Sequence, residues 1–228
     1  MNKITISLLS IFLCSSFLYS QDTCSRYYPF NEGSTFQITN FDKKGKTLGF
    51  VDYLVTNVSV SNDTEVSTIS SKVKDEKGEL VMESSYTITC KDDKISIDFN
   101  SLVNPQMLNQ YQEFDVDVSG TNIDLPNNLS VGQLLPDASM LMTINMGIML
   151  KFTVDITNRK VIAQEYVTTT AGTFNCYVIS YNSDIKMGIK RKGLSKQWIA
   201  EGVGLVKQEE YNKKGKLVSS SLLTAFKE

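Results

Sequence analysis

Apolar residues occupy every even-numbered position from 140 to 156, and the odd positions between them include Thr143, Asn145, Lys151 and Asp155. A period of two residues places such side chains on one face of a β-strand. The apolar residues are Met140, Met142, Ile144, Met146, Ile148, Leu150, Phe152, Val154 and Ile156. A two-residue hairpin at Gly147 would bring residues of opposite parity to one face. We therefore predict one long, bent strand with an apolar concave face.

Short turn signals divide most of the remaining chain into β-strands. The turns are Asp42-Lys-Lys-Gly45, Asp75-Glu-Lys-Gly78, Arg191-Lys-Gly193 and Asn212-Lys-Lys-Gly215, each between stretches rich in β-branched or aromatic residues. The predicted strands are 34–41, 47–60, 64–74, 79–90, 94–99, 113–118, 140–157, 160–169, 173–182, 185–190, 196–200, 203–211 and 217–226. This pattern predicts an all-β, mainly antiparallel fold with a strongly curved sheet or half-barrel.

Two segments interrupt the strands. Asn104 and Pro105 are typical of a helix start, and Met107, Leu108 and Tyr111 follow at helical spacing. We expect one short helix there, placed to plug the concave sheet. The segment 119–139 contains two glycines and two prolines, so we expect an extended loop that crosses between two β halves.

The first twenty residues have the features of a secretory signal peptide. Lys3 precedes an apolar stretch from Ile4 to Leu18, and polar residues begin at Gln21. We expect residues 1–20 to be removed and residues 21–228 to form a single β-rich domain, located in the periplasm or outside the cell. The mature chain has 22 basic and 25 acidic residues, a net charge of −3. This charge argues against nucleic acid as a partner, and no second apolar stretch is long enough to span a membrane.

The mature chain has three cysteines, Cys24, Cys90 and Cys176. They allow at most one internal disulfide, which an oxidising compartment would favour. The sequence does not decide the pairing. We predict a bridge between Cys24 and Cys90, which would attach the N-terminus to a strand end.

The chain contains no histidine, which excludes histidine-dependent catalysis and histidine metal ligands. Glu113, Asp115 and Asp117 alternate with apolar residues, so three carboxylates share a strand face. Such acids can hydrolyse glycosides or bind calcium, and they also occur on the solvated faces of amphipathic strands. We predict no catalytic residues, no metal site and no cofactor, and therefore a protein that is not an enzyme.

A basic cluster follows the apolar stretch. It consists of Lys186, Lys190, Arg191, Lys192 and Lys196. Such a cluster can contact lipid headgroups or acidic polysaccharide, and lysines also keep hairpin turns soluble.

Methionines are concentrated in the apolar stretch, where Met140, Met142, Met146 and Met149 fall within ten residues. Their flexible side chains suit irregular apolar contacts and also ordinary core filling. Our leading hypothesis is an exported protein that binds a lipid, an acylated molecule or an apolar peptide through residues Met140, Met142, Met146, Ile148 and Leu150. The alternative is a structural or interaction protein that docks an envelope protein through a β-strand edge.

Three stretches resemble a family of exported proteins. They are Cys24-Ser-Arg-Tyr-Tyr-Pro-Phe-Asn-Glu-Gly33, Thr168-Thr-Thr-Ala-Gly-Thr-Phe-Asn-Cys-Tyr177 and Trp198-Ile-Ala-Glu-Gly-Val-Gly-Leu-Val-Lys207. The chain is similar in them to the TapB-like exported proteins of Bacteroidetes, akin to the domain of unknown function numbered 3108, although Thr170 replaces an expected proline. The resemblance implies an envelope location, an antiparallel β architecture similar to the half-barrel of the LolA and LolB carriers, and no established catalytic residues.

Overall fold

Thirteen antiparallel strands form one sheet in the computed structural model, which describes residues 24–98, 113 and 115–228. The signal peptide expected at residues 1–20 and the helix expected after Asn104 lie outside these residues. The strands are β1 (Thr35–Asp42), β2 (Thr47–Ser61), β3 (Thr64–Asp75), β4 (Leu80–Lys91), β5 (Lys94–Ile97), β6 (Asp115–Gly120), β7 (Ile123–Pro126), β8 (Ala138–Asn145), β9 (Met149–Thr169), β10 (Gly172–Met187), β11 (Ile189–Ala200), β12 (Gly204–Asn212) and β13 (Leu217–Lys227). Their order in the sheet is β6-β8-β9-β10-β11-β12-β13-β1-β2-β3-β4-β5-β7.

The two edge strands of this sheet, β6 and β7, are neighbours in the chain. Only Thr121 and Asn122 separate them, so three Cα steps of about 3.8 Å join Gly120 to Ile123. In a flat sheet of thirteen strands the edges would be about 58 Å apart. The sheet must therefore curve until its edges approach each other, which confirms the strongly curved all-β fold; the sheet itself stays open.

The segment after β7 spans the remaining gap at one point. The Gly132 amide donates to the Val161 carbonyl at 2.8 Å, and the Val161 amide donates back to Gln133 at 2.9 Å. The buried Arg159 guanidinium donates to the carbonyls of Asp124 in β7, at 2.8 Å, and of Pro136, at 2.6 Å. These bonds connect β9 to the opposite edge of the sheet. The crossing loop expected at 119–139 is therefore shorter, because the segment also contributes to β6, β7 and β8.

The prediction of one bent strand from 140 to 157 is wrong. The chain turns at Met146, Gly147 and Ile148, and β8 pairs with β9. Ala138 lies opposite Ile156 and Ile144 lies opposite Leu150, so even positions pair with even positions. A three-residue turn preserves parity where a two-residue turn reverses it. Gly147 permits the turn with its φ of 84°.

The turn signals at Asp42, Asp75 and Asn212 are confirmed. In each turn the side-chain oxygen of the first residue accepts amide hydrogen bonds from residues two and four positions later. The turn predicted at Arg191 to Gly193 is wrong, because these residues lie inside β11 and the chain turns at Gly188. Gly193 is required for another reason: a Cβ there would lie 2.3 Å from the Tyr211 carbonyl oxygen of β12.

The inner face of the sheet is the one that carries Val161, Ile179 and Ile199, and chain segments cover one part of it. Tyr27 and Phe30 from the N-terminal segment pack there with Leu129 and Leu135 from the segment after β7. We call this part the sealed end. Alternate residues of β10 and β11, including Cys176, Val178 and Trp198, are buried in a second cluster on the other face. Both faces of β10 and β11 are therefore buried at the sealed end.

The predicted disulfide is confirmed and anchors the sealed end. Cys24 is bonded to Cys90 of β4, with their Cα atoms 5.8 Å apart. The buried Asn127 side chain donates to the Cys24 carbonyl at 2.7 Å and accepts from the Arg26 amide at 3.1 Å. The N-terminal segment is thus held to the sheet by a covalent bond and by polar contacts.

Candidate functional site

The inner face continues beyond the sealed end as an apolar surface on β6, β8 and β9. Two cross-strand rows define it: Val118, Met142 and Phe152 form one row, and Val116, Ile144 and Leu150 form the next. With Met140 and Met146 these residues form a separate cluster, which we call the apolar strip. Its eight members are Val116, Val118, Met140, Met142, Ile144, Met146, Leu150 and Phe152.

Exposure differs within the apolar strip. Met142 and Ile144 in the central strand β8 are 0% exposed, whereas the other six residues are half-buried. Among the described residues, the cluster draws only on β6, β8, β9 and the turn between the last two. The sheet therefore presents a set of apolar side chains that its other described strands do not cover.

The strip lies on the same face as the sealed end. Ile156 lies four positions after Phe152 in a regular stretch of β9, so the two side chains share a face, and Ile156 packs against the core of the sealed end. One row runs from Met140 through Val154 and Ile185 to Arg191 of β11. Directly paired residues in antiparallel strands project to the same side. The face is thus continuous from β6 to β11.

A concavity of about 580 Å³ lies next to the strip, between β10, β11 and the turn from β12 to β13. Ile185 and Val218 contribute its apolar lining. Arg191 pairs with Ile185 and shares the inner face, whereas Lys190 and Lys192 alternate with it along β11 and project to the opposite face. Lys213 and Lys214 line the concavity from the turn. We call Arg191, Lys213 and Lys214 the basic rim. Glu210 is the carboxylate among the lining residues.

The five cations near the concavity differ in their partners. Asp184 forms ion pairs with Lys192 and, at 3.3 Å, with Lys190. Hydrogen bonding to Lys192 and Lys190 lowers the pKa of Asp184, so this carboxylate is ionised at neutral pH. No carboxylate of a described residue lies within 4 Å of the side-chain nitrogens of Arg191, Lys213 or Lys214. Glu210 accepts hydrogen bonds from Ser195 and, at 2.6 Å, from Gln208.

Local turn chemistry positions Lys213 and Lys214. The Asn212 side-chain oxygen accepts bonds from the amides of Lys214, at 2.9 Å, and Lys216, at 3.1 Å. Gly215 closes the turn with a φ of 70°. The sequence predicts only that these lysines lie in a turn. Their position beside the concavity depends on the pairing of β11 with β12, which no local pattern specifies.

The structure separates the five residues predicted to bind a ligand. Met142 is wholly buried, and Met140, Met146 and Leu150 are half-buried in the strip. Ile148 is in the turn between β8 and β9 and is 68% exposed. Val116, Val118 and Phe152 complete the strip; Phe152 belonged to the apolar pattern, whereas the two valines join through the pairing of β6 with β8.

The acidic triplet stands apart from the concavity. Glu113, Asp115 and Asp117 are exposed, while Val116 and Val118, which alternate with the two aspartates, are half-buried. In the described part of the chain, no group of three or more cysteine and carboxylate residues is arranged to hold a metal ion. No helix of these residues has the length and hydropathy of a membrane span. Burial raises the pKa of the remaining cysteine, Cys176, to about 11, which disfavours a reactive thiolate.

Two solved structures share this fold. One is a candidate exported protein with a YmcC-like fold from Bacteroides fragilis, which is 22% identical with a TM-score of 0.73. The other is a candidate lipoprotein from Parabacteroides distasonis, which is 23% identical with the same TM-score. Each comparison covers 90% of this chain and 100% of the other chain. At these identities the likeness shows the fold.

Family membership agrees with the resemblance seen in the sequence. No curated protein matches the chain. The profile of the DUF3108-like family matches residues 31–223, a range that includes all thirteen strands except the last residues of β13. The chain therefore belongs to the DUF3108-like family.

Proposed function

We propose that this protein is an exported binding protein that holds a hydrophobic molecule on the apolar strip. The observation that supports the proposal most is the contrast within one face of the sheet. The sealed end is covered by the protein's own chain, whereas six apolar side chains of the strip stay half-buried. The Cys24–Cys90 disulfide supports an oxidising location, the periplasm or the cell exterior.

Burial of apolar surface would supply the binding energy. Each methylene group removed from water contributes about 0.8 kcal/mol, so ten methylenes contribute about 8 kcal/mol before the cost of association is subtracted. Met140 and Met146 can adapt their flexible side chains to an acyl chain or an apolar peptide. No step of this proposal involves bond making or breaking, so the protein would act as a carrier or sensor.

A fluorescent fatty acid probe tests this proposal in titrations of the mature protein. Leu150→Glu and Phe152→Glu place a charge at half-buried positions of the strip, so we expect each to abolish probe binding. Val60→Glu is the matched control, because Val60 is 68% exposed on β2, outside the strip. Circular dichroism should show the same fold in all variants. Absence of probe binding to the unmodified protein would contradict the proposal and favour an interior packed by its own chain.

A second candidate function is docking of an envelope protein along β6. This strand forms one edge of the sheet and pairs with β8 alone among the described strands. An extended peptide could add to that edge through main-chain hydrogen bonds. Asp117→Pro would remove one backbone donor from β6 without removing a side chain of the apolar strip. If partner capture depends on this edge, that variant should lose the partner and retain the fatty acid probe.

A further inference from the structure

We propose that the bound molecule is an anionic amphiphile, with its apolar tail on the strip and its acidic headgroup at the basic rim. This inference rests on the proposed function and specifies the chemistry of the ligand. It also assigns a role to Arg191, Lys213 and Lys214, which the hydrophobic-binding proposal leaves without one.

The inner face is continuous from the apolar strip to Arg191 of the basic rim. In the row that joins Gly120, Met140, Val154, Ile185 and Arg191, neighbouring strands are about 4.8 Å apart, so Arg191 lies about 19 Å from the β6 edge. The row is apolar from Met140 to Ile185 and cationic at its end. A ligand with a long tail and one charged end matches this order.

The charge around the concavity is locally positive. The whole chain has a net charge of −2, yet the three cations of the basic rim line this concavity, and Glu210 is the carboxylate among its lining residues. None of the three cations forms an ion pair with a described residue, whereas Lys190 and Lys192 lie on the opposite face with Asp184. A concavity with an excess of one sign of charge concentrates ions of the other sign.

Two turns of the same type differ in their charge. Phe41-Asp-Lys-Lys-Gly-Lys46 and Tyr211-Asn-Lys-Lys-Gly-Lys216 make the same amide hydrogen bonds to their second residue. In the first turn that residue is the carboxylate Asp42, and Lys46 also pairs with Glu76 at 2.7 Å. In the second turn it is the neutral Asn212. The turn that contains Lys213 and Lys214, beside the concavity, therefore lacks the acidic residue present in its counterpart.

A headgroup series tests the inference. The probes are hexadecanoate, hexadecyl phosphate, the uncharged monoglyceride of the same acyl chain, and inorganic phosphate, each competing with the fluorescent fatty acid. The variants are Arg191→Glu and the double variant Lys213→Glu/Lys214→Glu. The matched control is Lys43→Glu/Lys44→Glu, which reverses the same charges in the counterpart turn.

We expect both acidic amphiphiles to bind about tenfold or more tightly than the monoglyceride, since a hydrogen bond to a charged group can supply such a factor. Arg191→Glu and the Lys213/Lys214 variant should remove that preference and leave monoglyceride binding unchanged, and the control should retain it. Comparison of hexadecanoate with hexadecyl phosphate shows whether the site prefers a carboxylate or a phosphate headgroup.

Several results would overturn the inference, and they differ from failure of the proposed function. Equal binding of acidic and uncharged amphiphiles would support the hydrophobic site and contradict the headgroup site. Equal losses in the control variant would indicate a non-specific charge effect. If inorganic phosphate were the only one of the four compounds to compete with the probe, the protein would have an anion site without a site for the tail. Failure of every amphiphile to bind would instead contradict the proposed function itself.

Discussion

At the sealed end, Tyr27, Phe30 and Leu129 cover the inner face, whereas the apolar strip on β6, β8 and β9 keeps six half-buried side chains. The two regions belong to the same face of one sheet and have similar apolar composition. They differ in the chain segments that cover them, and within the described residues it is the sealed end that has a disulfide and Arg159 to fasten such segments. This contrast is the basis of the proposal that the strip binds a ligand, while the sealed end stabilises the fold.

The largest effect should follow from Tyr27→Ala at the sealed end. Tyr27 is 1% exposed and its ring meets that of Tyr177 edge to face, with centroids 6.2 Å apart. Removal of a large buried ring leaves a cavity, so we expect the free energy of unfolding to fall by about 4 kcal/mol. Urea unfolding followed by circular dichroism measures this loss. A loss below about 1 kcal/mol would contradict a stabilising role for the N-terminal segment.

Loss of the disulfide should have a slightly smaller effect. Cys24 and Cys90 are separated by 66 residues, and a native bridge of this kind contributes about 3 kcal/mol, mainly by restricting the unfolded chain. We expect the Cys24→Ser/Cys90→Ser variant to unfold at lower urea concentration than the oxidised protein. Reducing agent should destabilise the unmodified protein and leave the variant unaffected. Equal stability of the oxidised protein and the variant would refute this contribution.

A matched pair of leucines compares the two regions directly. Leu129 at the sealed end is 6% exposed, whereas Leu150 in the strip is half-buried. Leu129→Ala should lower the free energy of unfolding by about 3 kcal/mol, and Leu150→Ala by about 1 kcal/mol. Fatty acid titrations should show the opposite order, with weaker binding only for Leu150→Ala. Equal stability losses would mean that the strip is packed like the sealed end.

A further prediction concerns the dependence of stability on alkaline pH. Burial raises the pKa of Tyr27 and of Tyr28 to about 12, from a usual value of about 10. Between these values the folded protein keeps protons that the unfolded chain releases. The contribution of these tyrosines is therefore complete below about pH 10 and is lost as the pH rises towards 12. Urea unfolding across this range should show a shallower decline for Tyr27→Phe than for the unmodified protein.

Local patterns in the sequence were sufficient to predict the fold class. The alternation at residues 140 to 156 specifies strand structure and one shared face, and the Asp42, Asp75 and Asn212 turns follow from side-chain hydrogen bonds within each turn. Parity alone could not distinguish a bent strand from a three-residue turn at Gly147, because both keep even positions on one face. The Cys24–Cys90 pairing was predicted because a disulfide there would attach the N-terminus to a strand end, and the structure contains it.

The candidate site was only partly predictable. Met140, Met146 and Leu150 could be selected from their spacing, whereas the burial of Met142 and the exposure of Ile148 depend on which residues form the strand centre and the turn. Lys213 joins the site through the pairing of β11 with β12, about twenty residues away in the chain from Arg191. Contacts of this kind depend on strand register, which a single sequence specifies weakly.

Native mass spectrometry of the mature protein, purified from its own cell envelope, tests the central claim most directly. The account predicts a reproducible mass excess that organic extraction identifies as an acidic lipid. That excess should disappear in Leu150→Glu and remain in Val60→Glu, with both variants folded. A bare protein mass in the unmodified protein, together with no uptake of added hexadecanoate, would contradict the claim that the apolar strip and the basic rim bind a ligand.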